Sequence, residues 1–140
     1  KFTNEGLKNM NLNAANLRSL RINLNETNIN DHSLEVLKKK GISSSLKKLE
    51  IQIERTFVSN QALKELFDYI GKNGQKLEFL YLNLAHTSID NKNICFLKDK
   101  ILPSLKYLED FKINLFCTLV SGQNKDFQHI GKAAVKVMNE

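Results

Sequence analysis

Leu80-Tyr-Leu-Asn-Leu84 is one of four copies of a five-residue phrase in which every second residue is apolar. The other copies are Leu20-Arg-Ile-Asn-Leu24, Leu49-Glu-Ile-Gln-Ile53 and Phe111-Lys-Ile-Asn-Leu115, and successive copies start 29, 31 and 31 residues apart. Alternation with period two predicts a half-buried strand. Recurrence at a nearly fixed interval predicts stacked copies of one structural unit.

Residues of the same type also flank each phrase at fixed distances. A leucine precedes the phrase by three residues, a threonine follows its end by three, and an aliphatic residue follows by five. The leucines are Leu17, Leu46, Leu77 and Leu108; the threonines are Thr27, Thr56, Thr87 and Thr118; the aliphatic residues are Ile29, Val58, Ile89 and Val120. Agreement at so many offsets indicates a structural unit rather than a bias of composition.

Between the phrases, the apolar spacing changes to that of an amphipathic helix. The faces are Leu34 and Leu37; Leu63, Leu66, Phe67 and Ile70; Ile94, Leu97 and Ile101; and Phe127, Ile130, Ala134 and Val137. We therefore expect a helix in every unit, the last one lying within Asp126 to Met138. The expected N-caps are Asp31, Ser59, Asp90 and Asn124, and the expected helix ends are Gly41, Gly74 and Pro103.

The order strand, loop, helix, strand predicts the fold class. Consecutive strands that run in the same direction with a helix between them form a parallel sheet, so we expect an α/β protein. One unit is too short to bury its own apolar face, and stacking supplies the missing neighbour. The predicted architecture is a solenoid.

These offsets resemble those of leucine-rich repeat proteins of the ribonuclease-inhibitor-like subtype, in a variant with Leu-x-Leu-Asn-Leu strands. The segment Phe2-Thr-Asn-Glu-Gly-Leu7 is similar to a helix start of that subtype. The resemblance implies one partial domain over residues 1–140, with a partial repeat over 1–16 and repeats over about 17–45, 46–76, 77–107 and 108–140. It also implies a curved sheet on a concave face and helices on the convex face. We expect the domain to be part of a longer chain.

The composition excludes some classes of protein and leaves others open. Hydrophobic residues make up 41% of the 140, which is enough for a core, and no apolar run reaches the length of about 18 residues expected of a membrane span. Two cysteines, Cys95 and Cys117, predict an intracellular setting, cytoplasmic, cytoskeletal or nuclear, rather than a disulfide scaffold. The net charge of +6 permits an acidic or nucleic-acid partner without requiring one.

Residues between the strand leucines point away from the core and form columns across the sheet. One column, together with two neighbouring aromatic residues, combines charge with aromatic surface, as binding hot spots do. We expect a partner-binding site on the concave face formed by Arg21, Glu50, Phe79, Tyr81, Lys112 and Phe116. The alternative is a scatter of surface residues without a partner.

The next column carries an amide in every unit: Asn23, Gln52, Asn83 and Asn114. We interpret it as a structural ladder in which each amide bonds to the next along the sheet. A row of donors and acceptors for a partner's main chain is the alternative.

Lysines recur where each helix passes into the next strand. A basic stripe suited to phosphates or to an acidic protein is one interpretation. We favour the other, in which cations sit near helix C-termini and keep the surface soluble. The stripe consists of Lys38, Lys39, Lys40, Lys47, Lys48, Lys72, Lys76, Lys98, Lys100 and Lys106.

The sequence contains no recognisable catalytic motif. His32, His86 and His129 lack the spacing of metal ligands, and no glycine-rich phosphate loop or nucleophile elbow is present. We therefore expect a non-enzymatic module, without metal or cofactor and outside membranes, that binds a protein partner within a larger intracellular assembly. The alternatives are an RNA-associated subunit of a ribonucleoprotein and the repeat region of a larger enzyme such as a kinase.

Overall fold

Five parallel strands form one sheet in the computed structural model, and they lie side by side in chain order. The structure describes residues 3–12, 14–125, 127 and 133–138. The strands are β1 (Ser19–Asn23), β2 (Lys48–Gln52), β3 (Phe79–Asn83), β4 (Asp110–Asn114) and β5 (Ala134–Met138). Helical segments alternate with the strands, so the predicted α/β class with a parallel sheet is confirmed.

Three helices occupy the segments that the apolar spacing indicated in the first three units: α2 (Asp31–Gly41), α3 (Asn60–Asn73) and α4 (Asn91–Phe96). A further helix, α1 (Asn4–Asn9), precedes the first unit. Helix α4 continues through a π-helical turn, Leu97–Ile101, and a 3₁₀ turn, Leu102–Ser104, that contains Pro103. Short 3₁₀ turns also cover Ala14–Asn16 and Gly122–Lys125.

Gly74 follows the last residue of α3, as predicted, because close packing leaves no room for a side chain. A Cβ at this position would lie 2.8 Å from the carbonyl oxygen of Ile70 and 2.7 Å from Cδ1 of Leu77. Gly41 is the last residue of α2, also as predicted. The helix ends are therefore determined by what each final turn packs against.

Strand pairing follows the alignment of the four phrases residue for residue. Leu49 pairs with Leu20 on one side and with Leu80 on the other, and Leu80 pairs with Phe111. Equivalent residues of successive units thus become neighbours in the sheet, and the columns predicted from alternation exist. Because a slip by one residue would turn every leucine to the other face, the burial of all four residues accounts for this register.

Strand β5 corrects the prediction of a helix at the end of the chain. Ala134–Met138 pairs with β4, with Phe111 opposite Val135, only 24 residues further along. Val135 and Val137 are half-buried against the core, whereas Lys136 is exposed. The chain thus alternates here with period two, but over too few residues to stand out against the helical spacing.

Two expected caps near the helix starts are also wrong. Asn30, rather than Asp31, caps α2: its side chain accepts a hydrogen bond from the His32 amide at 3.1 Å. Asn124 precedes no helix among the described residues, and its side chain accepts the thiol of Cys95. Ser59 and Asp90 cap α3 and α4 as predicted, and Ile130, expected on the last helical face, lies outside the described residues.

Hydrogen bonds join the start of each helix to the next. The carboxylate of Asp31 accepts both the amide and the hydroxyl of Ser59, at 2.6 and 2.7 Å. The buried amide of Asn93 donates to the carbonyl and side-chain oxygens of Asn60, at 2.5 and 2.7 Å. These bonds connect neighbouring units through polar groups at the helix starts.

One continuous apolar cluster lies between the sheet and the helices, extending from Leu7 in α1 to Phe127 beyond β4. The strand leucines and the helical faces of α2, α3 and α4 contribute its largest members. Of the helices the structure describes, none combines the length and the apolar character needed to cross a bilayer.

Candidate partner-binding face

The residues that alternate with the buried strand leucines form the opposite surface of the sheet, here called the open face. Its central column is Arg21, Glu50, Tyr81 and Lys112, placed side by side on β1 to β4 as predicted. The exposed Lys136 of β5 extends the column by one position. All of these side chains are half-buried or exposed, so they are accessible to a partner.

Two contacts within the chain hold the predicted site residues in place. Arg21 Nε lies 3.0 Å from Oε2 of Glu50, an ion pair worth no more than about 1 kcal/mol because both side chains are solvated. Lys112 Nζ lies 5.4 Å from the centre of the Phe79 ring, within the range of a cation–π interaction. The structure therefore brings Phe79 and Lys112 together, and pairs Arg21 with Glu50.

Tyr81 occupies the middle of the open face and is half-buried. Burial raises the pKa of its phenol, and the carboxylates of Glu50 and Glu54 raise that pKa further. The Arg21 guanidinium acts in the opposite direction with a smaller effect. The phenol consequently stays protonated, and it can donate a hydrogen bond to an acceptor on a partner.

The amide column does not form the expected ladder. Among the described residues, each asparagine oxygen accepts the backbone amide two residues further along its own chain. These bonds join Asn23 to Asn25, Asn83 to Ala85 and Asn114 to Phe116, at 3.0, 3.2 and 3.1 Å. The asparagine oxygens thus bond within their own strand, whereas the Asn83 side-chain nitrogen donates across to Oε2 of Glu54 at 3.1 Å. Gln52, one methylene longer, instead accepts from the Asn25 amide at 3.5 Å.

Four equivalent turns follow the strands, and each is closed by its threonine. The hydroxyl donates to the carbonyl oxygen three residues earlier, at distances between 2.6 and 2.8 Å, in Thr27, Thr56, Thr87 and Thr118. The residue before each threonine has left-handed backbone: φ is 57° at Glu26, 52° at Arg55, 53° at His86 and 51° at Cys117. Sequence reasoning missed this conformation because no glycine signals it.

Side chains at the left-handed positions form a connected row. Arg55 Nη1 binds Oε1 of Glu26 at 3.0 Å, and Arg55 Nη2 lies 3.4 Å from Nε2 of His86. Arginine can only donate, so Nε2 of His86 accepts in this contact. His86 in turn meets the Phe116 ring edge-on, with ring centres 5.3 Å apart. The row fixes Phe116, a predicted site residue, at the border of the open face.

Most lysines of the predicted basic stripe have partners within the chain. Ion pairs join Lys38 to Glu35 and Glu65, Lys39 to Glu35, Lys47 to Glu78, and Lys72 to Asp68. Lys40 donates to the carbonyls of Lys8 and Met10, and Lys98 lies over the Phe127 ring. Hydrogen bonds from Lys38 and Lys39 lower the pKa of Glu35. Lys48, Lys76, Lys100 and Lys106 are exposed and make no ion pair with described residues.

A shallow groove of about 770 Å³ lies on the helical side between α2, α3 and α4. Its two aromatic rings each lie under a lysine: Lys38 Nζ is 5.7 Å from the Tyr69 ring centre, and Lys64 Nζ is 5.7 Å from that of Phe96. Lys38 is also paired with Glu35. The lining charges thus largely satisfy one another.

Two exposed apolar residues, Phe57 and Leu119, were missed by sequence reasoning. Their side chains are 75% and 68% exposed. Each directly follows the threonine of its turn, so the repeat places them at equivalent positions in two loops. That shared offset was the available signal, but apolar character alone does not distinguish an exposed loop residue from a buried one.

Neither a metal-binding cluster nor similarity to a known protein assigns a function to these surfaces. Within the described residues, no three His, Cys, Asp or Glu side chains come together in a way that could hold a metal ion. Cys95 and Cys117 are free thiols. In comparisons with known proteins, no family model, no curated protein and no solved structure matches this chain.

Proposed function

We propose that this chain is a leucine-rich-repeat-like solenoid module that binds a protein partner on the open face and performs no catalysis itself. The observation that carries the proposal is the pair of half-buried aromatic rings, Phe79 and Tyr81, at the centre of a sheet face with Lys112 beside them. Tyrosine is one of the residues that most often supply the binding energy in protein interfaces.

The regularity of the stack supports the solenoid part of the proposal. The strands follow one another in chain order, equivalent residues pair across each junction, and the same threonine-closed turn recurs four times. In such repeat proteins each unit contacts only its neighbours, and the resulting extended surfaces commonly bind partners.

The lysine charges on the open face support the proposal that this face binds a partner. Lys112 is engaged only by the Phe79 ring, and Lys136 lies directly beside it; neither lysine makes an ion pair with a described residue. Like charges opposite each other in a sheet are destabilising unless something compensates for them. An acceptor group on a partner would relieve that repulsion.

The experiment is a binding measurement with matched variants. The chain captures proteins from an extract of the cells that produce it, and each captured protein is purified and titrated calorimetrically. We expect Tyr81→Ala combined with Lys112→Ala to weaken binding of the true partner at least tenfold, about 1.4 kcal/mol. Tyr107→Ala, at an exposed aromatic residue away from the open face, serves as the control.

Circular dichroism must show that both variants are folded. If the double variant binds as tightly as the unmodified chain, the open face is not the site. An RNA-associated role has less support, because six of the ten stripe lysines have intramolecular partners. Such a role requires RNA affinity that falls steeply with salt.

A further inference from the structure

The four loops that follow β1 to β4 meet at one end of the sheet, because all strands run in the same direction. These post-strand loops are residues 24–30, 53–59, 84–90 and 115–121. Backbone hydrogen bonds connect each loop to the next: Glu26 donates to Glu54 at 2.8 Å, Arg55 to Ala85 at 3.2 Å and His86 to Phe116 at 2.9 Å. The loops therefore form one continuous surface, distinct from the open face.

Large apolar side chains project from this surface. Phe57 and Leu119 are the two most exposed large apolar residues among those described. Their backbone amides are bound, Phe57 to the Ile29 carbonyl at 3.2 Å and Leu119 to the Ile89 carbonyl at 3.1 Å. The backbone is thus fixed while the two side chains lie in solvent, where apolar side chains of a partner can pack on them.

The charge of the surface is opposite to that of the whole chain. The post-strand loops, with the adjoining Asp31, contain four carboxylates and only one of the chain's 21 cations, Arg55. Their net charge is −3, whereas that of the chain is +6. Arg55 pairs with Glu26, so the net charge rests on Glu54, Asp90 and Asp31. A cationic ligand would therefore be drawn to this end of the sheet in preference to the rest of the surface.

The surface is also preorganised. Each loop holds a left-handed residue that is not glycine, and each is closed by a threonine hydroxyl. Sparsely populated backbone conformations persist only where the surrounding structure enforces them. A loop already fixed in its bound shape loses little entropy on binding.

We propose that the post-strand loops are a second docking surface, for a basic protein segment that carries large apolar side chains. The apolar groups pack on Phe57 and Leu119, and the lysine or arginine side chains lie against the carboxylates of Glu54 and Asp31. This surface does not depend on the function proposed for the open face. The overall positive charge of the chain repels such a ligand, so binding requires the negative charge and the apolar side chains of the post-strand loops.

The test uses three short fluorescent peptides in polarisation titrations with the full chain. One contains lysine and leucine, one lysine and serine, and one glutamate and leucine. We expect the lysine–leucine peptide to bind at least about tenfold more tightly than either of the others. Phe57→Ser with Leu119→Ser should weaken this peptide about tenfold, and Glu54→Gln should weaken it and reduce its salt dependence.

Two variants serve as controls. Tyr107→Ser removes a side chain that is 65% exposed at the opposite end of the sheet, and it should leave the affinity unchanged. Tyr81→Ala with Lys112→Ala should also leave it unchanged, which separates this surface from the open face. Because the substituted loop side chains are exposed, thermal unfolding should change little.

Any of three results would overturn the proposal. The first is a lysine–leucine peptide that binds no better than the lysine–serine or the glutamate–leucine peptide. The second is unchanged affinity in the Phe57 and Leu119 double variant. The third is self-association of the chain, measured by sedimentation, that the same double variant abolishes, since the occupant would then be a second copy.

Discussion

Four residues other than glycine adopt left-handed backbone at equivalent positions: Glu26, Arg55, His86 and Cys117. A side chain with a Cβ costs roughly 1–2 kcal/mol in this conformation. The chain accepts this cost four times because the following threonine closes the turn and the amide of each of the first three donates to the next loop. Three of the four side chains at this position, those of Glu26, Arg55 and His86, contact one another.

Cys117 allows this cost to be measured, because its side chain is exposed. We expect Cys117→Gly to be more stable than Cys117→Val by roughly 1–2 kcal/mol, since a β-branched residue is poorly tolerated at positive φ. Urea unfolding followed by circular dichroism measures the difference. At Leu119, whose φ is not positive, the order should reverse. Equal stability of the two Cys117 variants would contradict the strain argument.

Individual residues also show which features of the candidate sites the sequence could not reveal. Alternation placed Arg21, Glu50, Tyr81 and Lys112 in one column, and the register confirms it. It could not predict that Phe57 is 75% exposed while the adjacent Val58 is 3% exposed. In a loop, exposure depends on the tertiary path of the chain, which no period in the sequence records.

At the scale of elements, the helices are connected in series through their first turns. Asp31 in α2 holds Ser59, the cap of α3, and Asn93 in α4 holds Asn60, the first residue of α3. Each helix start is thus stabilised by its own cap and by a side chain from the neighbouring unit. Removing one such bond should affect two elements at once.

Asn93 gives the sharpest test of this connection, because its side chain is 3% exposed. We expect Asn93→Ala to lower the free energy of unfolding by about 2 kcal/mol, since it removes a buried donor to two oxygens of Asn60 and leaves only the Asp90 amide on Asn60 Oδ1. Asn93→Asp should cost more at neutral pH, because it places a carboxylate against the same oxygens. Chemical denaturation gives both values; a loss below about 0.5 kcal/mol for both would rule out a structural role.

Elements could be predicted where two signals agreed. For β1 to β4, alternation and the repeat interval both predicted a strand, and each observed strand begins and ends one residue before its phrase. For β5 only Val135 and Val137 alternate, and what makes this segment a strand is its pairing with β4. A tertiary contact of that kind overrides a weak local pattern.

At the scale of the whole molecule, the sheet and the helices share one apolar cluster from Leu7 to Phe127. The repeated units therefore do not have separate cores, although their sequences are similar. Stacked units of this kind stabilise one another mainly through their shared interfaces. The described part of the chain should therefore unfold in a single cooperative transition.

Leu82, fully buried in the central strand, tests this expectation. We expect Leu82→Ala to lower the free energy of unfolding by about 2–5 kcal/mol, and Leu82→Met, which preserves volume, by less than about 1.5 kcal/mol. Tyrosine fluorescence and circular dichroism should report the same unfolding midpoint in each variant. Separate midpoints would mean that the units unfold independently.

The residue-for-residue register has a consequence for how such a chain can change its length. Leu80 and Phe111 are equivalent positions in neighbouring strands, joined to equivalent loops and helices. If the segment between two such positions is duplicated or deleted, every other side chain stays on the face of the sheet that it already occupies. The length of the molecule is therefore a discrete quantity, altered one strand-and-helix unit at a time, and each alteration adds or removes one row of side chains on the open face and one loop beside it.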